Sequence, residues 1–178
     1  MNGKRALANA AAINLVERDG RIPIATSANC LQPDQQNDNG WNQGLLFLDP
    51  SQVWLQPPGY VTQMYSRNYL PKLLQCQVTG AKGSLDVSAK RSDDGRTLVL
   101  QVVNSTSQAI PAPIHLAGFV PQASVAQVTE LSGALDARNT AAHPSAIVPQ
   151  SHPWKHALKN GDTSYTFPPY SITVLRWE

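Results

Sequence analysis

Residues 54–68 carry the stretch WLQPPGYVTQMYSRN, which separates two parts of the chain that differ in pattern. Val61, Met64 and Tyr65 stand at i, i+3 and i+4, the spacing of an apolar face on a short helix. The two prolines near its start suit a first helical turn, and Asn68 is typical of a helix end. The stretch therefore predicts a hinge helix between an N-terminal segment and a β-rich remainder.

The composition is that of a globular protein of about one domain. Of the 178 residues, 42% are hydrophobic and 15% are charged, and the formal net charge is +2. Since this charge is small and its basic residues are scattered, we do not expect nucleic acid as a partner. No apolar run approaches the ~18 residues of a membrane span, and the N-terminus does not read as a signal peptide, so no membrane partner is expected and the cellular location is left open. Cys30 and Cys76 are expected to be free, buried thiols, although they could pair.

The segment before the hinge helix has the pattern of half a β/α unit. Residues 4–18 are alanine-rich and predict a helix that ends at Gly20. Its predicted apolar face consists of Leu7, Ala11 and Leu15 or Val16. Residues 21–26 predict a short buried strand, because their apolar run is brief and β-branched. One such unit cannot bury both faces of its strand, so we expect the chain to begin in the middle of a larger α/β structure.

A long polar loop, residues 27–44, follows that strand. Loops of this length are uncommon in a compact domain and are usually functional or disordered. Since α/β barrels place their active-site loops after the carboxyl ends of strands, the position of this loop favours a functional one. Trp41 in this loop could stack on a sugar ring, whereas Trp54 is expected in the core. Residues 45–48 and 52–55 predict two short strands that pair with each other.

After residue 71 the pattern changes to short strands with turn signals between them. The predicted strands are 73–78, 84–90, 97–104, 109–116, 124–131, 147–148, 164–167 and 171–177. An Asp-Gly turn within residues 91–96 predicts a hairpin between two of them. Residues 134–159 are expected to form a surface loop pinned by Trp154. The pattern predicts an antiparallel, jelly-roll-like β-sandwich.

Few residues form a constellation that could carry out chemistry. Asp34 and Asp38 are the only carboxylates expected near a cleft, and loop capping explains them better than catalysis. His152 and His156 stand four apart with a proline between them, so no metal site is predicted. The sequence has no nucleophile elbow, phosphate-binding loop or dinucleotide fingerprint, and no cofactor is expected.

Several stretches carry a resemblance to the family 51 α-L-arabinofuranosidases. Residues 41–49 (WNQGLLFLD) and 59–66 (GYVTQMYS) resemble the tryptophan loop, short strand and helix at the end of that family's barrel. Residues 165–175 (YTFPPYSITVL) are similar to its C-terminal Phe-Pro-Pro-Tyr-Ser ending, and residues 8–18 resemble the alanine-rich helix before its eighth strand. The matches follow the family's order across nearly the whole chain.

The resemblance implies a mainly β chain in two parts. Residues 1–70 would be the remnant of a (β/α)8 barrel, comprising its last β/α unit and an active-site loop, and residues 71–178 the C-terminal β-sandwich. It also implies a retaining hydrolase of arabinan or arabinoxylan, whose catalytic glutamates follow the fourth and seventh barrel strands. No residue here matches either glutamate motif, so this chain is expected to be inactive alone.

The barrel-rim loop is the one site that the resemblance extends to this chain. It implies substrate contacts at Asn29, Cys30, Gln36 and Trp41, and no metal or cofactor. Relatives often have Ser-Tyr-Ala-Pro where this chain has Ser-Ala-Asn-Cys at residues 27–30. Since similar enzymes include some that cut xylan or glucan internally, an endo-xylanase or endo-glucanase remains an alternative to arabinose specificity.

Two further hypotheses are a non-catalytic sandwich that binds carbohydrate through exposed aromatic residues, and a structural sandwich that shields the barrel. If the chain is a fragment of the hydrolase, the two predicted helices and the strand at 21–26 should expose apolar surface unless they are covered. We expect them to pack on the sandwich, on a second copy, or on a chain that carries the rest of the barrel. The expected ligand of the full enzyme is an arabinose-containing polysaccharide.

Overall fold

The computed structural model describes residues 2–25, 29–36, 43–80 and 84–178. It contains helices α1 (Gly3–Asp19) and α2 (Pro57–Arg67). Its strands are β1 (Leu31–Pro33), β2 (Leu46–Leu48), β3 (Val53–Leu55), β4 (Lys72–Leu74), β5 (Leu85–Arg91), β6 (Leu98–Asn104), β7 (Ile110–His115), β8 (Val125–Ser132), β9 (Gln150–Lys155), β10 (Asp162–Phe167) and β11 (Ser171–Trp177).

Helix α1 begins and ends where its sequence predicts. The Asn2 side chain accepts a hydrogen bond from the Arg5 N–H at 3.3 Å, which caps the first turn. Gly20 ends the helix in the left-handed region, with φ +69°. The predicted apolar face is partly wrong, because Leu15 is 61% exposed. The buried residues are Ala6, Leu7, Ala10 and Asn14.

The predicted strand at residues 21–26 does not form in the described part of the chain. Residues 21–25 are irregular and exposed, with Ile22 at 51% and Ile24 at 75% exposure. A strand needs a neighbour to accept and donate its backbone hydrogen bonds, and no described strand pairs with this segment. The apolar run therefore has β propensity but no sheet to join.

A three-stranded sheet follows, in the order β1-β2-β3. Strands β2 and β3 pair antiparallel, as predicted for residues 45–48 and 52–55. The expectation of an irregular loop over 27–44 is wrong at β1, which pairs parallel with β2. Residues 26–28 and 37–42 lie outside the described residues.

Helix α2 is the predicted hinge helix, and it packs on α1 and on the sandwich. Val61, Met64 and Tyr65 are at most 5% exposed, as the i, i+3, i+4 spacing indicates. Together with Ala6, Leu7 and Ala10 of α1, they join a core cluster that includes residues of β6, β8 and β11. The helices therefore contact the sandwich, which is one of the three partners expected for them.

The remainder is a mainly antiparallel β-sandwich, which confirms the predicted fold class. One sheet has six strands in the order β4-β5-β6-β11-β8-β9, and the other contains β10 and β7. The six-stranded sheet is covered on both sides. We call the side that contacts α1 and α2 the helical face, and the side that contacts β7 and β10 the strand face.

Each face of the six-stranded sheet has its own core cluster. On the helical face these residues are Val99, Val103, Leu131, Ile172 and Val174. On the strand face they are Leu98, Val102, Ala126, Val128, Leu175 and Trp177, packed against Ile114 and Phe167. Successive residues of β6, β8 and β11 alternate between the two clusters, as the two-residue period of a strand requires.

The helical face also carries a polar network beneath α1. The Glu17 carboxylate contacts the Lys90 ammonium at 2.5 Å, and Lys90 has only 4% of its side chain exposed. Glu17 also accepts hydrogen bonds from Ser88 Oγ at 2.9 Å and from Gln101 Nε2 at 2.8 Å. The other pairs in the network are Asn14–Asp86, Arg18–Asp86 and Asn14–Gln101. The polar side of β5 therefore faces α1.

Three strand predictions need correction. Strand β4 covers Lys72–Leu74 only, whereas residues 73–78 were predicted, and residues 147–148 form no strand. Strand β9 instead lies within the stretch 134–159, where a loop was expected. It is an edge strand that pairs only with β8, so most of its residues are exposed and no alternation marks it. Trp154 in β9 does pack inward, at 6.0 Å between ring centroids from Trp177.

Strand β7 has an edge that lacks two backbone donors. The Leu116 N–H donates to the Gly161 carbonyl at 2.8 Å, so even-numbered N–H groups of β7 point toward β10. Pro111 and Pro113 occupy the alternate positions, which point to the opposite, free edge. Because proline has no N–H, that edge offers carbonyl groups but few donors. A cavity of about 540 Å³ lies beside it, between β7 and β4–β6.

Candidate functional site

A cavity of about 490 Å³ lies where the loop after β1 meets a loop of the sandwich. One wall is formed by residues 34–36, and the facing wall by residues 138–142. Phe47 of β2 and Gln56, which precedes α2, line it between these walls. The cavity therefore lies at the boundary between the N-terminal segment and the sandwich.

Gln56 and Asn139 clamp the two sides of the cavity together. Gln56 Nε2 donates to the Asn139 carbonyl at 2.8 Å, and the Asn139 N–H donates to Gln56 Oε1 at 3.3 Å. Asn139 Nδ2 donates to the carbonyls of Leu55 at 2.8 Å and Ile147 at 3.0 Å, and its Oδ1 accepts from the Ile147 N–H at 2.8 Å. Both side chains are buried, so these bonds satisfy groups that water cannot reach.

Further hydrogen bonds fix the sandwich loop. Gln52 Nε2 donates to the Ala141 carbonyl at 2.9 Å. Thr140 and His143 exchange backbone hydrogen bonds at 3.2 and 3.0 Å, and the His143 N–H also donates to Thr140 Oγ1 at 3.2 Å. The wall that carries Arg138 and Thr140 is therefore held from both ends.

The opposite wall is braced by Gln32, which is 8% exposed. Its Oε1 accepts from the N–H groups of Gln43 at 3.0 Å and Gly44 at 2.9 Å. Gln43 Oε1 in turn accepts from Arg5 Nη2 of α1 at 3.0 Å. The loop that follows β1 is thus tied both to β2 and to the first helix.

Asp49 acts in a turn, as its position before Pro50 indicates. Its Oδ1 accepts from Ser51 Oγ at 2.7 Å, from the Ser51 N–H at 2.7 Å and from the Gln52 N–H at 2.9 Å. These bonds, above all those from Ser51, lower the pKa of the Asp49 carboxyl group. A carboxylate that stays ionised and is occupied by its own turn is poorly suited to proton transfer.

The structure places the four predicted site residues in different surroundings. Asn29, with φ +55°, and Cys30 are exposed, and the Cys30 carbonyl accepts from the Leu46 N–H at 2.8 Å at the start of β2. Gln36 lines the cavity. Trp41 lies outside the described residues. Of the three predicted residues that the structure describes, Gln36 therefore lines the cavity, and Asn29 and Cys30 do not.

The other candidate groups are spread over the molecule. Asp34 lines the cavity, whereas Asp38 lies outside the described residues. Within the described ranges no three His, Cys, Asp or Glu residues are grouped as metal ligands would be. Both cysteines are free thiols, as expected, but the expectation of burial is wrong: Cys30 is exposed and Cys76 is half-buried.

The cavity has the chemistry of a binding site rather than of a catalytic centre. Asp34, Gln36 and Arg138 bring carboxylate, amide and guanidinium groups to its walls, beside the apolar ring of Phe47. Planar polar groups around an apolar surface suit a neutral, polyhydroxylated ligand, which needs both acceptors and donors. No described carboxylate faces Asp34 across the cavity as the second member of a catalytic pair would.

Sequence reasoning missed the contribution of the sandwich to this cavity. Residues 138–142 were expected to be part of a plain surface loop. They lie about a hundred positions from residues 34–36 in the sequence. Asn139-Thr140 carries a turn signal, but no spacing or periodicity indicates which distant loop it contacts.

The fold joins two helices and a short three-stranded sheet to a β-sandwich, and the cavity lies where the N-terminal segment meets that sandwich. Residues 1–171 match the family model described as the alpha-L-arabinofuranosidase C-terminal domain. The chain therefore belongs to that family, as its resemblance implies. No curated protein matches the sequence.

Solved α-L-arabinofuranosidases share the fold. The arabinose-bound family 51 enzyme MgGH51 is 23% identical with a TM-score of 0.87, over 98% of this chain and 27% of that one. The enzymes of Thermotoga maritima and Thermotoga petrophila are each 21% identical, with TM-scores of 0.81 and 0.82. They cover 99% and 100% of this chain, which in turn covers 38% and 39% of theirs. The chain thus spans less than half the length of each of these enzymes.

Neither described helix is long and apolar enough to cross a membrane.

Proposed function

We propose that this chain is the C-terminal part of a retaining glycoside hydrolase that acts on arabinan or arabinoxylan. Residues 1–70 contribute the last β/α unit of a barrel and its rim loop, and residues 71–178 form the accessory sandwich. Both catalytic glutamates lie on a polypeptide segment outside this chain, which is therefore inactive by itself. The observation that carries the proposal is the match of residues 1–171 to the arabinofuranosidase C-terminal domain.

The sugar-facing part of this chain is the rim loop. Asn29, Cys30, Gln36 and Trp41 are the residues proposed to contact substrate there. Asn29 and Cys30 are exposed directly before β1, and Gln36 lies on a cavity wall. Asn29 and Gln36 supply amide groups and Trp41 an aromatic ring, which bind hydroxyl groups and ring faces without taking part in bond cleavage.

Exposed apolar residues support a larger assembly. Ile22, Ile24 and Leu31 are 51%, 75% and 57% exposed, and all three lie between α1 and β2. Large apolar side chains that are exposed favour a protein partner. The segment with the rest of the barrel is the proposed partner, because residues 21–25 have β propensity and no described strand pairs with them.

An activity assay tests the proposal directly. The purified 178-residue chain, incubated with an aryl α-L-arabinofuranoside, should release no aryl alcohol above the buffer control. Robust turnover would show that this chain contains its own catalytic carboxylates. In parallel, the coding DNA upstream of Met1 should hold an open frame with two glutamates after predicted strands four and seven.

A carbohydrate-binding module without a catalytic partner is the second candidate. The cavity at the domain boundary favours it, since a binding site needs no second carboxylate. Affinity electrophoresis in arabinoxylan distinguishes the candidates when it is combined with the upstream sequence. Retarded mobility without an upstream glycosidase frame would favour the binding module.

A further inference from the structure

The boundary cavity is built jointly by the N-terminal segment and the sandwich. Its two walls come from residues 34–36 and 138–142. At about 490 Å³ its volume falls within the range of small-ligand sites. Since residues 138–142 of the sandwich form one wall, the sandwich would contact any ligand that occupies this cavity.

The walls are pre-organised. Asn139 makes hydrogen bonds to Leu55, Gln56 and Ile147, and Gln52 holds the carbonyl of Ala141. On the other side Gln32 holds the backbone of Gln43 and Gly44. Because these buried groups fix the backbone on both sides, the backbone around the cavity needs little further ordering when a ligand binds.

The groups at the surface select the class of ligand. Arg138 and Gln36 are exposed, and Asp34 is half-buried, so all three can reach a molecule in the cavity. A carboxylate disfavours phosphate or another anion, and the charged walls disfavour an apolar ligand. A neutral sugar accepts hydrogen bonds from a guanidinium group and donates to a carboxylate, while its C–H face packs on a ring such as Phe47.

We propose that this cavity is a carbohydrate subsite in which Arg138 of the sandwich binds a neutral pentose residue of the polysaccharide together with Asp34 and Gln36. The identity of the sugar rests on the proposed function, whereas the cavity and its walls do not. The sandwich thereby becomes a determinant of substrate choice, in addition to supporting α1 and α2.

The test is a titration of the 178-residue chain with a xylotriose that carries one arabinofuranosyl branch. Binding is measured by calorimetry and by ligand-observed NMR, with maltotriose as the comparison sugar. Arg138→Gln should weaken binding about tenfold, which corresponds to the loss of one charge-assisted hydrogen bond. Arg96→Gln, at the exposed tip of the β5–β6 hairpin, is the matched control and should bind like the unmodified chain.

A second variant, Gln36→Ala, removes a group from the opposite wall and should also weaken binding. Thermal unfolding of each variant verifies that the fold is retained. No saturable binding by the unmodified chain, or equal binding by the Arg138→Gln and Arg96→Gln variants, would overturn the proposal.

The outcome is separable from that of the proposed function. Arg138-dependent binding in a protein whose upstream frame lacks the two glutamates would refute the glycosidase and keep the subsite. If the glycosidase is confirmed but its Arg138→Gln variant binds the branched oligosaccharide normally, the subsite is refuted and the glycosidase is kept.

Discussion

The two faces of the six-stranded sheet are covered in different ways. The strand face packs against β7 and β10 through aliphatic and aromatic side chains, with Trp177 and Leu175 wholly buried. The helical face combines aliphatic contacts with a polar network. In this network the Glu17 carboxylate accepts hydrogen bonds from Lys90, Ser88 and Gln101. Apolar contacts are non-directional, whereas each hydrogen bond requires one geometry. The difference indicates that the strand face stabilises the fold mainly through buried apolar area, whereas the polar network of the helical face fixes the position of α1.

The largest expected effect comes from breaking the strand face. Trp177→Ala should lower the free energy of unfolding by about 4 kcal/mol, because it leaves a large cavity in a closely packed layer. Chemical denaturation followed by circular dichroism measures it. Trp177→Phe is the control. The indole N–H has no hydrogen-bond partner in the described residues, so the smaller ring should preserve most of the stability.

A smaller loss is expected from breaking the helical face. Glu17→Ala should cost about 3 kcal/mol, because it leaves the buried Lys90 ammonium without its counter-ion. Asp19→Asn, two residues further along α1, removes an acid of an exposed pair with Arg21 and should not change the stability measurably. Equal free energies of unfolding for the two variants would show that the network does not hold α1 in place.

The smallest effect concerns the carboxylate on the strand face, Glu130. Burial raises the pKa of Glu130, and the Tyr165 hydroxyl, which donates to it at 3.3 Å, has its own pKa raised by burial to about 12. A carboxyl group with a raised folded-state pKa contributes stability below its ordinary pKa and loses it as the pH rises through the raised value.

The Glu130→Gln variant should therefore be slightly more stable than the unmodified chain at pH 7. The gain should be a few tenths of a kcal/mol, since the group is half-exposed and screened, and it should vanish near pH 4. Thermal melts at both pH values measure it. A difference that is constant with pH would rule out ionisation as its cause.

Much of the fold follows from local patterns in the sequence. The alternation along β5 and β6, the Asp-Gly turn between them and the spacing in α2 each lead to the observed element. Strand β9 could not be predicted in this way, because it is an exposed edge whose conformation depends on pairing with β8. Residues 21–25 show the opposite case, in which apolar residues favour a strand that no described neighbour stabilises.

The candidate site was less predictable than the fold. The long loop indicates where a site begins, and Gln36 does line the cavity. Arg138 could not be identified, because its position across the cavity from that loop depends on how α1 and α2 dock on the sheet. That docking rests on polar pairs such as Glu17–Lys90, whose partners are 73 residues apart.

The prolines of β7 bear on how this molecule behaves at high concentration. Exposed strand edges can recruit further strands and so grow into aggregates. The free edge of β7 adjoins apolar side chains of the 540 Å³ cavity. With a full set of backbone donors, such an edge would favour the addition of a strand from another copy. With Pro111 and Pro113 at the outward positions, an incoming strand would find two of its carbonyl groups without a donor. Part of the apolar interior can thus remain accessible beside an edge of β7 that is poorly suited to pairing with a further strand.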